Sequence, residues 1–124
     1  MTVQSEPTRK RLPDTRPSIT RKGVVCGHEV YVTVGFFDEP EDHDQPGEVF
    51  CKIAKHGSVL DGLVDGWSIM VSLALQYGVP WNKISDKFRF TRFGNEAGDG
   101  NNTSLLDGVC SLVDLAIVDR QGEE

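Results

Sequence analysis

Two periodicities divide the chain. Between Gly23 and Phe37 apolar residues recur at every second position: Val30, Val32, Val34 and Phe36 point one way, and Glu29, Tyr31, Thr33 and Gly35 the other. That alternation predicts a strand with one face on a core. Glu48 to Lys55 repeats it, with Val49, Cys51 and Ile53 set against Phe50, Lys52 and Ala54. The two segments, about 24–37 and 48–55, are expected to form an antiparallel hairpin whose apolar face needs a cover.

From Ser58 the period becomes 3.6. Asp61, Asp65, Ser68, Ser72 and Gln76 trace one polar stripe, while Leu60, Leu63, Val64, Trp67, Met70, Val71, Ala74 and Leu75 occupy the rest of the circumference. The spacing predicts a long helix over 58–77, buried on most of its circumference, with the carboxylate stripe facing water. Ser58 is the expected N-cap, and Gly78 followed by Pro80 the stop. Gly62 and Gly66 lie four apart on one face, each costing roughly 1 kcal/mol relative to alanine in an ordinary helix. With Trp67 beside them they are expected to serve tight packing within the fold or a homodimer interface. A short helix over Pro80–Phe88 follows, and a closing helix over 104–119, capped by Thr103 or Ser104. The expected class is α+β, a small antiparallel sheet packed against a long central helix and a C-terminal helix.

The chain of 124 residues is the size of one domain, and its 38% hydrophobic and 26% charged residues are ordinary for a globular protein. The polar stripe interrupts the long helix, so no membrane association is expected, and no apolar segment follows the basic N-terminal residues as a secretory signal would. A cytoplasmic location is the expectation. Cys26, Cys51 and Cys110 form no CxxC and are odd in number, which fits reduced core residues and neither a disulfide framework nor a zinc site.

The net charge of −6 conceals an asymmetry. Arg9, Lys10, Arg11, Arg16, Arg21 and Lys22 outnumber Glu6 and Asp14 at the start of the chain, and the remainder is correspondingly acidic. Residues 1–11 are expected to be a disordered basic arm, 12–119 one domain, and 120–124 a frayed tail. Arg11, Arg16, Arg21 and Lys22, stiffened by Pro13 and Pro17, form the expected partner-binding arm. The acidic body disfavours nucleic acid, which calls for a net positive domain. The run from Asp38 to Glu48 has the composition of a solvated acidic loop and no geometry for a metal.

Several blocks in one order carry a family likeness: RLPDTRPSITRK (11–22), GHEVYVTVG (27–35), PGEVFCKIAKHGSVLDGLVDGW (46–67) and VSLALQYGVPWNKISDKFRFTRF (71–93). Together they resemble the TSCPD domain near the C-terminus of adenosylcobalamin-dependent (class II) ribonucleotide reductases, here as a free-standing domain. Where other members carry Thr-Ser-Cys-Pro-Asp, this chain has TSLLD at 103–107, without the cysteine and proline. A cysteine-dependent redox or metal role is therefore not implied. The reductase barrel does not fit in a chain of this length, so the resemblance implies no ribonucleotide reduction by the chain alone.

The ligand candidates lie between the last two helices. Arg89 and Arg92 suit bidentate phosphate contacts, and Gly94, Asn95, Gly98 and Gly100 permit close backbone approach. Thr103 and Ser104 open the closing helix, whose N-terminus favours an anion, and Phe90 or Phe93 offers a ring for base stacking. The competing reading is a basic strand with core phenylalanines and a linker, since neither GxxxxGK[ST] nor GxGxxG occurs. His28, His43 and His56 have no nucleophile or ligand spacing around them, and no catalytic constellation can be assembled.

These features describe a non-catalytic module of nucleotide metabolism that resembles a reductase accessory domain and binds a nucleotide or the class II catalytic subunit. The alternative is a phage-type sequestering protein that holds a signalling nucleotide at a subunit interface without turnover, which requires a homodimer or higher oligomer. No metal or covalently bound cofactor is expected in either case.

Overall fold

The strand expected from Gly23 onward is two strands. In the computed structural model, which describes residues 6–41, 45–54, 59–89 and 104–122, β1 spans Ser18–Val25 and β2 His28–Phe36, joined by Cys26 and Gly27. These two residues have φ of 49° and 79°. Positive φ at both centres is what a two-residue hairpin turn needs to match strand twist, and a Cys-Gly pair is a weaker signal for it than Asn-Gly. Arg21 and Lys22 therefore belong to a strand and not to an arm. β3, Pro46–Ile53, completes an antiparallel sheet of order β1-β2-β3.

One face of this sheet is the core. Val30, Val32, Val34 and Phe36 of β2 have no exposure and are flanked by Val49, Cys51 and Ile53 of β3. Two long helices share the task of covering it. The helix α1, Val59–Gln76, lies along β3, and α3, Leu105–Gly122, lies across β1 and β2; the short α2, Trp81–Phe88, joins them and packs on α3. The architecture is α+β, as the periodicities indicate.

The orientation of α1 reverses the expectation. The part of its polar stripe formed by Ser68, Ser72 and Gln76 faces inward, because β3 is an edge strand with backbone groups to satisfy, while Asp65 stays half exposed beside Lys52. Ser72 Oγ accepts from the Val49 N–H at 2.9 Å and donates to the Val49 carbonyl at 3.1 Å, and Gln76 Nε2 donates to the Gly47 carbonyl at 2.9 Å. Side chains of a helix thus close the edge where a fourth strand would pair. Val64, Val71 and Leu75 enter the core beside them. The consequence is that Val59, Leu63, Ile69, Met70 and Tyr77 are exposed. Tight packing at Gly62 and Gly66 is likewise not met: among the described residues nothing lies within 4 Å of a Cβ built at either. Trp67 is half-buried and meets Phe88 edge to face, with centroids 5.5 Å apart.

The close helix approach occurs elsewhere. A Cβ on Gly108 would sit 2.1 Å from Val25 Cγ1, and Leu112 of α3 reaches Gly23 of β1. Glycine at both points brings α3 down onto β1. The ends of α1 and α3 are also set by particular contacts. Ser58, the expected cap of α1, lies outside the described residues, whereas its stop is a Schellman turn: Gly78 at φ 96° donates to Leu75 O and Val79 to Ala74 O. The far end of α3 continues to Gly122, because Arg120 is buried over the Phe36 ring and reaches Asp38 at 3.3 Å.

Residues 6–17 have no regular structure but are not remote from the body. The Lys10 backbone N–H donates to the Gln76 carbonyl at 2.7 Å and Arg9 Nε to Gln76 Oε1 at 2.6 Å, placing the Arg9 guanidinium at the C-terminus of α1, which has no basic residue of its own in its last turn.

Candidate functional site

Arg89 stands at the C-terminal end of α2 and faces α3. Its Nε donates to Asp107 Oδ1 at 3.0 Å and its Nη1 to Asp114 Oδ2 at 2.6 Å, while the other oxygen of Asp114 accepts from Trp81 Nε1 at 2.8 Å. The guanidinium expected to meet phosphate thus joins α2 to α3. Ser104 is fully buried and is the N-cap of α3, its Oγ accepting the Asp107 N–H at 3.2 Å. Phe90, Arg92, Phe93, Gly94, Asn95, Gly98, Gly100 and Thr103 lie outside the described residues.

The basic residues near the start are mostly turned onto the fold. Arg16 makes a two-point contact with Glu48 through Nε and Nη2, the latter at 2.9 Å. Arg21 Nε lies 2.8 Å from Asp119 of α3. Lys22 lies 3.2 Å from Glu29 and over the Tyr31 ring. Arg11 is exposed. Glu48, which opens the expected strand after the acidic run, is buried in β3 against Gly35, where any Cβ would collide with its carboxylate.

A different surface stands out once the register is known. The face of the sheet turned away from the helices is uncovered by any described element, and its side chains form two ordered rows. Lys22, Tyr31 and Lys52 lie side by side across the three strands, and Thr20, Thr33 and Phe50 form the next row. Tyr31 and Phe50 are exposed, and the two threonine hydroxyls are 2.8 Å apart. The Tyr31 hydroxyl donates to Glu29, and together with the Lys22 ammonium it holds the Glu29 carboxyl below the usual carboxylate range. Below Phe50 a shallow cleft is lined by Asp14, Arg16, Ser18, Thr33 and Glu48. Aromatic planes flanked by ammonium groups and hydroxyls suit a planar, polyanionic ligand. The alternation in β2 and β3 already put Tyr31, Phe50 and Lys52 on this side; only the pairing register brings them together.

Among the described residues no group of three or more His, Cys, Asp or Glu is arranged to hold a metal ion. Two of the three thiols are buried and offer no ready nucleophile. Burial, the leading cause, pushes both Cys51 and Cys110 up to about 12, so neither is a thiolate near neutrality. Cys26, in the hairpin turn, is only partly buried. A thiol reagent such as DTNB is accordingly expected to modify one cysteine rapidly in the folded protein and all three in denaturant. Rapid native reaction of two or three would contradict this burial.

The family model of the TSCPD domain matches residues 2–117. The chain belongs to the TSCPD family. Curated relatives of this TSCPD chain include proteins named vitamin B12-dependent ribonucleotide reductase. That of Rhodopirellula baltica is 46% identical over 71% of this chain and 8% of its own length. Those of Bradyrhizobium diazoefficiens and Streptantibioticus cattleyicolor are 40% and 46% identical, over 90% and 73% of this chain and 10% and 14% of theirs. The chain thus spans about a tenth of the length of these relatives. No solved structure gives a significant match. Of the TSLLD segment at 103–107, Ser104 and Asp107 have visible work: one caps α3 and the other receives Arg89. Both act in the fold.

Proposed function

We propose that this TSCPD domain is a non-catalytic accessory module of ribonucleotide reduction that binds a nucleotide on the outer face of its sheet. The observation that carries the reading is the pair of rows Lys22–Tyr31–Lys52 and Thr20–Thr33–Phe50, in a chain whose relatives are named as reductases of ribonucleotides. A base stacks on Tyr31 or Phe50, an interaction worth about 1–3 kcal/mol per base in open sites. Phosphate oxygens meet Lys22 and Lys52, whose present partners Glu29 and Asp65 hold them in exposed pairs of little net strength. Nothing in this arrangement turns a ligand over.

Isothermal titration with a panel of ribonucleoside and deoxyribonucleoside di- and triphosphates tests it. Saturable binding is expected, weakened at least tenfold in a Tyr31→Ala, Phe50→Ala double variant, whose side chains point away from the core. A panel without heat, or binding indifferent to both substitutions, refutes the assignment of this face. The coverage of the relatives favours a second role, docking on a class II catalytic chain, because in those proteins the matching segment is a small part of a longer polypeptide. Retention of the purified chain by an immobilised vitamin B12-dependent reductase is the corresponding measurement.

A further inference from the structure

The outward side of α1 is a continuous apolar stripe without a charged residue. Val59, Leu63, Ile69, Met70 and Tyr77 retain 82, 67, 55, 66 and 45% of full exposure, and the exposed Gly62 and Gly66 lie among them. Val59–Gln76 is by length and composition apolar enough to cross a membrane, with a mean hydropathy of 1.2 over 18 residues. Its polar stripe, however, is committed to β3 through Ser72 and Gln76. What is left open is one face of a helix, and apolar patches of this kind mark contacts with another surface.

We infer that α1 pairs with α1 of a second copy, antiparallel, about a two-fold axis near Ser68. A two-fold contact requires that residue i meet residue j and j meet i, so the stripe must be complementary to its own reverse. It is. Reversal about Ser68 sets Gly66 against Met70, Leu63 against Leu73 and Val59 against Tyr77, a small residue opposite a large one at the centre and apolar pairs on either side. Gly66, with nothing within 4 Å of its Cβ position among the described residues, becomes the notch that receives Met70 of the other copy. Glycine there permits a close approach of the two helices. No charges are apposed or buried, and the helix dipoles run antiparallel. The stripe offers on the order of 1,000 Å² between two copies, the area at which an interface becomes specific. A partner with a different sequence would satisfy the apolar face, but nothing would then require the stripe to complement its own reverse.

Sedimentation velocity of the full chain across a hundredfold concentration range tests the pairing. A monomer–dimer equilibrium is expected. Gly66→Met fills the notch in both copies and should weaken it at least tenfold, while circular dichroism and the melting temperature at dilution stay at the wild-type level or above. Adding Met70→Ala exchanges knob and notch and should restore dimerisation; Val118→Glu, on the exposed side of α3, should leave it unchanged. A wild-type chain that stays monomeric, whether or not it sediments with lipid vesicles, overturns the inference. So does a dimer indifferent to Gly66→Met or one that the second substitution fails to rescue.

Discussion

Replacing Arg89 with alanine should destabilise the fold by about 3 kcal/mol, the lower end of what removing one partner of a buried ion pair costs. Asp107 is 1% exposed and sits in the first turn of α3; without the guanidinium its buried carboxylate loses the cation 3.0 Å away, and the helix N-terminus offsets only part of that loss. Asp114 is more exposed, and its removal leaves Arg89 on Asp107 but takes the acceptor from Trp81 Nε1, so Asp114→Ala should cost less, about 1–2 kcal/mol. Arg89→Lys keeps the charge but not the two-point geometry and should fall between wild type and alanine. Urea denaturation of the three variants gives the order. A loss below about 0.5 kcal/mol for Arg89→Ala, the scale of an ordinary surface substitution, would mean that Asp107 is not held as described. This result also governs how ligand data are interpreted: weaker nucleotide binding by an Arg89 variant reports a phosphate contact only if α2 and α3 remain joined.

Gly108→Ala is the second large effect expected, a loss of about 1–3 kcal/mol from overpacking. The added methyl would stand 2.1 Å from Val25 Cγ1, 2.8 Å from Cγ2 and 3.0 Å from Cβ, so no rotation of Val25 clears all three and α3 must lift from β1. Combining it with Val25→Ala should recover part of the loss, with a coupling of about 0.5–3 kcal/mol typical of side chains in contact. Gly62→Ala and Gly66→Ala make the contrast. Both positions are helical and open within one copy, so each should stabilise the dilute protein by about 0.5–1 kcal/mol through helix propensity. If Gly108→Ala were neutral and the two α1 substitutions costly, the positions of α1 and α3 on the sheet would have to be exchanged.

The three glycines just named show what could be learned without the fold. Gly62 and Gly66 attract notice because they are spaced like a packing motif on an apolar helix, while Gly108 lies in an unremarkable helical stretch. Whether a glycine is compensated depends on what lies opposite, and the residue opposite Gly108 is more than eighty positions earlier in the chain. The outer face of the sheet is a similar case. Period-two alternation assigns Tyr31, Phe50 and Lys52 to one side, but Lys22 joins them only because the Cys26–Gly27 turn folds β1 back beside β2. In the Arg89 region sequence reasoning identified the cation and the helix start; it did not identify the carboxylates that occupy the cation, since Asp107 and Asp114 look like ordinary polar positions of an amphipathic helix.

What the sequence determined by itself is local and periodic: two apolar alternations, three helices and most of their ends, a cap of α3 at Thr103 or Ser104 and the TSCPD family likeness. Such features follow from backbone geometry and near neighbours, which repeat along the chain. The tertiary structure alone decided which side of α1 is inside. For α1 the hydrophobic count favours burying the apolar side. The unpaired edge of β3 turns the Ser72 and Gln76 stripe inward instead, because a buried backbone N–H or carbonyl left without a partner costs about 1–3 kcal/mol, comparable to burying one more apolar side chain. That choice put Met70 and Gly66 on the surface, where no described element covers them.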